Sequence, residues 1–262
     1  MKRVVFNQKG GVGKTSITCN LAAISAARGL RTLVVDLDVQ GNTTHYLVGE
    51  IDADAFPAEA QGAAGLFKQT VGSRKMHQNP DSFVWETPWE NLFLLPSSPV
   101  LTQLERELES RYKIYKLRDA LQKLDAEYDR VYIDTPPNFN FYSKSALIAA
   151  DTVLVPFDCD SFARQSLYSL MDNIAELQED HNPDLAVEGI VINQFNSQAR
   201  LPGELVAELE EEGYPVCATY LSASVKMRES HHEHRPLVDL VPSHKLTQQF
   251  LALYDELESG RD

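Results

Sequence analysis

Apolar positions recur along the chain in two alternating patterns: short β-branched runs, and longer segments with apolar residues three or four apart. The short runs predict strands at 3–7, 31–36, 92–96, 128–134, 151–156 and 187–193. Segments with helical spacing follow most of them, as at 17–28, after which Gly29 supplies a stop signal. This alternation predicts an α/β fold with a mainly parallel, twisted sheet and helices on both faces.

The length of 262 residues suits one domain spanning 1–262. The residue composition of the chain changes only between about 50 and 90. We expect a surface excursion there, with a short helix near Ala63–Gln69. Loops beside an active site vary without damaging a sheet, so we expect partner specificity in this excursion. Trp85 and Trp89 at its end fit either a docking patch or packing of the excursion onto the sheet.

Composition narrows the class of protein. With 24 basic and 38 acidic residues, the net charge is −14, which disfavours DNA and anionic membranes as partners. No apolar run approaches the roughly 18 residues of a membrane span, and a strand at the very start leaves no room for a secretory signal. The cysteines, Cys19, Cys159 and Cys217, are far apart and fit reduced thiols. We expect a cytoplasmic protein.

The richest chemistry lies between the first strand and the first helix, where the run KGGVGKT precedes Ser16. Glycines at a strand-to-helix turn let consecutive N–H groups face one anion, and the helix adds the positive end of its dipole. Lys14 supplies a cation for the β- and γ-phosphates, and the Thr15 hydroxyl is a natural Mg²⁺ ligand. The predicted phosphate-binding residues are Lys9, Gly10, Gly11, Val12, Gly13, Lys14, Thr15 and Ser16.

Carboxylates end two of the predicted strands. Asp36 and Asp38 follow the second strand, and Asp134 ends the apolar run 128–134 about 100 residues after the glycines. The carboxyl ends of parallel strands meet at one edge of a sheet, so these groups should converge near Lys14. Asp134 then fits a residue that holds Mg²⁺ through water. The alternative for Asp36 and Asp38 is a pair of loop or helix-capping aspartates.

The run from Lys9 to Thr15 departs from the standard Walker A pattern, because Gln8 stands where that pattern has glycine and Lys9 adds a second lysine. It resembles the deviant Walker A box of the ParA/MinD family of dimerising P-loop ATPases. VDLDVQGN, from Val35 to Asn42, is similar to the family's switch I, and the Thr-Pro-Pro from Thr135 is similar to switch II. The similarity covers nearly the whole chain.

This resemblance implies a fold, a reaction and roles for residues. The protein would bind ATP and Mg²⁺ and form a homodimer over two nucleotides, with Lys9 reaching across the interface. Asp38 would position the attacking water, so Lys9, Lys14 and Asp38 would be catalytic, while Asp36 would help Thr15 and Asp134 to hold Mg²⁺. Asn193, which ends the 187–193 run, would read the adenine edge, or else simply form a turn.

The resemblance further implies a slow ATPase, stimulated by a ParB-like partner or cargo adaptor, that partitions chromosome or plasmid DNA. The charge of −14 disfavours nucleoid association, and Ala223 replaces an arginine common in partition proteins. The remaining basic candidates are Arg200, Lys226, Arg228 and Arg235. One alternative is an orphan ParA-like ATPase that positions a protein cargo, such as a chemosensory array or flagellum. Another is a biosynthetic P-loop enzyme of the dethiobiotin synthetase type.

Two features near the end of the chain complete the expectations. His231, His232 and His234 lack the spacing of a helical metal site, so we expect a loop surface there. The last predicted helix, 243–258, pairs one apolar face with an acidic face. Since MinD-type membrane helices are basic, we expect no direct membrane binding.

Overall fold

The computed structural model describes residues 1–49, 61–69, 78–159, 163–195 and 200–260. Within these ranges seven strands form one sheet in the order β3-β4-β2-β5-β1-β6-β7. All neighbours pair in parallel except β3, which runs antiparallel to β4. The strands are β1 (Lys2–Val5), β2 (Thr32–Asp36), β3 (Trp85–Glu86), β4 (Leu92–Leu95), β5 (Arg130–Asp134), β6 (Thr152–Asp158) and β7 (Ala186–Asn193).

Helices cover both faces of this sheet. They are α1 (Lys14–Ala27), α2 (Asn42–Val48), α3 (Gly62–Lys68), α4 (Leu101–Ser110), α5 (Lys116–Leu124), α6 (Phe141–Ala149), α7 (Ala163–Asp180), α8 (Arg200–Glu211), α9 (Val225–His232), α10 (Leu237–Leu240) and α11 (Lys245–Ser259). Gly29 has φ +84° two residues after α1, the left-handed conformation expected of a glycine stop. Among the described residues, no helix combines the length and apolar character that crossing a membrane requires.

The strands are buried because both of their faces are apolar. Leu33 and Val35 of β2 face one core cluster, and Val34 between them faces the other. Successive side chains of a strand point to opposite faces, so a continuous apolar run is what a doubly covered sheet requires. Leu246, Phe250, Leu253 and Leu257 of α11 all join the second cluster.

The predicted α/β architecture is confirmed, with each of the six predicted strands displaced by no more than two residues at either end. The two-residue strand β3 was not predicted. The expected surface position of residues 50–90 is wrong for α3, since Gly62 to Phe67 are buried and Phe67 packs against Phe141 and Tyr142. Residues 50–60 and 70–77 lie outside the described residues.

Trp85 is part of the sheet, and Trp89 packs against the core. Trp85 pairs with Leu94 in the sheet, and the Trp89 side chain packs against the core cluster that contains α1. Of the two interpretations of these residues, packing against the sheet is therefore the one that their positions support.

Strand register brings the candidate site together. β2 and β5 are neighbours, and Asp36 is directly opposite Asp134 in their pairing. β1 pairs with β5 on its other side, so the glycine-rich loop after β1 begins beside Asp134. Since all three strands are parallel, their carboxyl ends form a single edge.

Candidate functional site

The glycine-rich loop is fixed at its start and curls through left-handed glycines. The Asn7 amide donates to the carbonyl of Pro156 (2.7 Å), and its oxygen accepts the backbone N–H of Lys9 (2.9 Å). Gly11 has φ +77° and Gly13 has φ +95°, a region that side-chain-bearing residues rarely adopt. α1 begins immediately afterwards at Lys14. This geometry turns backbone N–H groups toward one concave space, as an anion site requires.

Lys14 lies within this loop and is largely buried. Its ammonium donates to the carbonyl oxygen of Lys9 at 2.9 Å. Burial lowers the pKa of Lys14, while the charges of Asp134 and Asp38 raise it. The cation therefore lies between the loop and the carboxylates, in position to bind an anion held by the loop.

Asp134 is fully buried at the end of β5 and accepts hydrogen bonds from two threonines. The hydroxyls of Thr15 on α1 and Thr43 on α2 each donate to Oδ2 at 2.7 Å. Burial raises the pKa of Asp134 to about 6, against the effect of these hydrogen bonds. One carboxylate oxygen of Asp134 thus connects α1 to α2.

Asp36 is equally buried and holds the segment that follows it. Its Oδ2 accepts both the backbone N–H (2.8 Å) and the hydroxyl (2.7 Å) of Thr44, and its Oδ1 accepts the N–H of Asp38 at 3.1 Å. Burial, and then the charge of Asp134, raise the pKa of Asp36 to about 8. Asp36 therefore holds the segment 38–44 by hydrogen bonds to its first and last residues.

Asp38 lies at the beginning of that segment, which we call the switch segment (Asp38–Asn42). Its carboxylate accepts the N–H of Gln40 at 3.0 Å, and its carbonyl accepts the hydroxyl of Ser97 at 2.6 Å. Asp38 is close enough to Lys14 and Asp134 to affect the pKa of each. The switch segment is thus attached to β4 as well as to β2.

The donor set around Asp134 fits a divalent cation. Asp36 and Asp134 are two buried carboxylates, and burial raises the pKa of each. Mg²⁺ prefers carboxylate, hydroxyl and water oxygens, and Thr15 supplies a hydroxyl at the same position. Of the predicted metal residues, Thr15 donates to Asp134, and both oxygens of Asp36 and of Asp134 accept hydrogen bonds from the protein.

A cavity of about 470 Å³ opens beside the loop. Gly13, Ser16 and Asn193 line it, together with residues 222–228 and part of α11. Asn193 donates to the carbonyl of Val12 (2.8 Å), and Gln194 donates to that of Gly11 (2.9 Å). These two amides fix the orientation of the Gly11 and Val12 carbonyls. The volume is in the range of small-molecule sites.

The histidines near the end of the chain differ from expectation. His231 and His232 are on helix α9 rather than in a loop, and a hydrogen bond of 2.8 Å joins His231 Nε2 to the Ser16 hydroxyl. No group of three potential metal-ligating side chains occurs in the parts of the chain that the structure describes. One signal that could have indicated this is Ser224, which caps a helix beginning at Val225 and so places His231 inside that helix.

The structure thus brings Lys14, Thr15, Asp36, Asp38 and Asp134 together at one edge, as predicted. Asn193 lines the adjoining cavity and also braces the loop, a role the sequence did not suggest. Gln194 and His231 are additional contacts to the loop that were not predicted.

Comparisons with known proteins agree with this geometry. A family profile described as an AAA domain matches residues 2–187. The chromosome partitioning protein ParA of Myxococcus xanthus is 34% identical over 257 residues, which cover 97% of this chain and 86% of that protein. The chain spans nearly the full length of such relatives.

Solved structures show the same fold. An ATP complex of McdA from Cyanothece superposes with a TM-score of 0.83 at 22% identity, covering 98% of this chain and 96% of that one. Cobyrinic acid a,c-diamide synthase from Mycobacterium smegmatis, with bound ADP and magnesium, gives a TM-score of 0.75 at 29% identity, covering 88% of this chain and 91% of that one.

Proposed function

The chain belongs to the ParA/MinD family of P-loop ATPases, and we propose that it is a partitioning switch that dimerises with ATP. It binds ATP with Mg²⁺, closes with a second copy over two nucleotides, and hydrolyses ATP slowly. A ParB-like partner or cargo adaptor that orders the switch segment accelerates hydrolysis. The protein acts in the cytoplasm, as one domain. The observation that carries this proposal is the convergence of Lys14, Asp38 and Asp134 on the loop before α1.

The loop and its carboxylates supply the binding chemistry. Backbone N–H groups from Gly10 to Ser16 and the Lys14 ammonium hold the phosphates. Thr15 and Asp134 hold Mg²⁺, with Asp36 supporting them through the switch segment. Mg²⁺ would neutralise the charge that develops on the phosphates during transfer. The cavity beside Asn193 accommodates the nucleoside, with the Asn193 amide at the base edge.

In the proposed mechanism, Asp38 orients the attacking water. It starts a segment whose attachment depends on a few hydrogen bonds, including the one from Ser97 to its carbonyl. A carboxylate at this point orients a water only when the segment is ordered. Slow hydrolysis by the protein alone, and stimulation by a partner, follow from that dependence.

In the proposed dimer, Lys9 acts across the interface. Its backbone is fixed at both ends of the residue, by Asn7 at its N–H and by Lys14 at its carbonyl. It adjoins Gly10 and Gly11, which are exposed and leave room for a second copy to approach. Two opposed lysine-bearing loops repel each other, and the γ-phosphates between them would reverse that repulsion. Lys9 would also stabilise transition-state charge, as an arginine finger does.

Two ion pairs reduce the positive charge that is available to bind DNA. Lys226 forms an ion pair with Glu229 (2.5 Å), and Arg235 forms one with Asp239 (2.5 Å), so two of the four basic candidates are paired. The Arg200 side chain lies outside the described residues. The M. xanthus relative is named for chromosome partitioning, which supports DNA as cargo. The paired basic residues and the charge of −14 favour the second candidate, positioning of a protein cargo.

Sedimentation of Asp38→Ala with ATP and Mg²⁺, alone and with a random DNA duplex at about 0.1 M salt, tests both the ATP-dependent dimer and DNA as the cargo. The variant should bind ATP, hydrolyse it poorly and accumulate as a dimer. Lys14→Ala is the matched control, because it should lose nucleotide binding and stay monomeric under the same conditions.

The outcomes of this experiment distinguish the three candidate functions. A dimer that carries DNA supports a nucleoid-bound partition switch, and a dimer that ignores DNA supports protein-cargo positioning. A monomer with normal turnover would contradict the dimer mechanism and would favour a biosynthetic P-loop enzyme, which needs no lysine acting in trans.

A further inference from the structure

One contact joins the phosphate-binding loop to a distant helix. The Ser16 hydroxyl and His231 Nε2 are 2.8 Å apart, although 215 positions separate the residues in sequence. The imidazole is partly buried and stacks on the Tyr46 ring, with centroids 4.3 Å apart and planes inclined by 13°. The ring therefore has a defined orientation toward Ser16.

Buried polar contacts fix both partners in place. The Tyr46 hydroxyl is hydrogen-bonded to the Ser230 hydroxyl, next to His231, and accepts the Asn20 amide at 3.1 Å. The same amide donates to the Ser16 carbonyl at 2.9 Å. α1, α2 and α9 thus meet in one closed set of hydrogen bonds around the Ser16–His231 contact. Such a network resists rotation of any single member.

We propose that His231 is a positioning residue for the Ser16 hydroxyl and thereby sets nucleotide affinity. In this arrangement His231 Nε2–H donates to the Ser16 oxygen, and the serine hydrogen is left to donate to a phosphate oxygen. The inference rests on the proposed function, since it assumes that the loop binds a nucleotide.

The direction of the hydrogen bond follows from the chemistry of an anion site. Serine has one hydroxyl hydrogen, and if it were donated to the imidazole, only lone pairs would face the phosphate. Burial, and then His234, lower the pKa of His231, so the ring is neutral near pH 7 and carries a single N–H. The Nε2–H tautomer is the one that leaves Ser16 able to bind an anion.

Ser16 lies on the nucleoside side of the loop. Thr15 and Lys14 face Asp134, whereas Ser16 lines the cavity that also contains Asn193. Its hydroxyl therefore serves the phosphate attached to the nucleoside, which ATP and ADP share. Loss of His231 should weaken both nucleotides by the same factor.

The test is calorimetric titration of ATP and ADP, each with Mg²⁺, into the wild type, Ser16→Ala, His231→Ala and the double variant. Each single variant should bind both nucleotides about five- to tenfold more weakly, and the double variant should be no worse than Ser16→Ala. His231→Gln keeps an N–H of similar reach and should restore most of the affinity. His232→Ala, an exposed neighbour on α9, is the matched control and should bind as the wild type does.

Three results would overturn the inference: unchanged affinity in His231→Ala, additive losses in the double variant, or a loss for ATP without one for ADP. Thermal melting of each variant identifies a folding defect. If His231→Ala does not fold, His231→Gln with and without Ser16→Ala decides, because a loss in His231→Gln equal to that of Ser16→Ala would refute positioning through the N–H. A wild-type chain that bound neither nucleotide would refute the proposed function itself.

Discussion

The side of the sheet opposite the site contains a buried ion pair whose removal should lower stability without affecting the phosphate loop. Arg3 on β1 is fully buried, and its side chain donates to both oxygens of Glu188 on β7, at 2.5 and 2.6 Å. It also donates to the Tyr132 hydroxyl at 3.1 Å, and Glu258 of α11 is 3.5 Å away. The guanidinium joins three strands and the last helix.

Arg3→Met removes the charge and keeps most of the side-chain volume. Glu188 is then left as a largely buried carboxylate, with the Thr152 hydroxyl donating to it at 3.1 Å. Breaking a buried pair from one side costs about 3–5 kcal/mol. At roughly 2.1 cal/mol/K per residue, the unfolding entropy of a chain this long is about 0.55 kcal/mol/K, so the Tm should fall by about 5–9 °C.

The assay is thermal unfolding followed by circular dichroism, with ATP affinity measured in parallel. Arg28→Met is the matched control, because Arg28 and its partner Asp255 are about half exposed (47% and 56%), and such a pair contributes about 0–1 kcal/mol. Its Tm should change by less than about 2 °C. If Arg3→Met melted no lower than Arg28→Met, the buried network would not stabilise the fold as argued.

Three further outcomes follow from single sites. Gly13→Ala should lose ATP binding, because Gly13 has φ +95° and a Cβ there would lie 2.1 Å from the Asn193 amide nitrogen. Gly10→Ala should melt as the wild type does, because a Cβ at Gly10 meets nothing within 4 Å. Asn182→Ala should lower the free energy of unfolding by about 1–2 kcal/mol in urea titration, because its amide donates to two carbonyls at the end of α6, both at 2.9 Å. Burial raises the pKa of Asp36 to about 8, so the folded chain keeps a proton that the unfolded chain releases above about pH 4. Without Mg²⁺ and nucleotide, the free energy of unfolding should therefore fall between pH 5 and 8, and a rise over that range would contradict this pKa.

The parts of the site that the sequence predicts are those set by local order and strand direction. Glycines between a strand and a helix can be recognised without a structure, since the loop geometry depends on adjacent residues. Asp36 and Asp134 could be placed together because parallel strands bring their carboxyl ends to one edge, and their pairing is confirmed.

Other parts depend on contacts that no local pattern encodes. His231 reaches Ser16 only because α9 packs beside α1 and α2, and its neighbours in sequence are polar enough to indicate a solvated surface. Arg3 stands one residue from β-branched positions, where a charged residue suggests an exposed strand end. It is buried because Glu188, far along the chain, compensates its charge.

The phosphate loop and the switch segment therefore differ in the contacts that hold them in place. The phosphate loop is held mainly by neighbours in sequence and by Asn193, so its geometry is largely preset. The switch segment instead depends on Ser97, which donates to the Asp38 carbonyl and, through its N–H, to the Thr44 hydroxyl at 3.0 Å. Thr44 in turn donates to Asp36, which accepts the N–H of Asp38. A shift of the loop after β4 would therefore reach Asp38 directly through the Ser97 hydroxyl, and also through this series of three hydrogen bonds. If the proposed function is right, a partner that contacts the loop after β4 would change hydrolysis while leaving nucleotide affinity nearly constant.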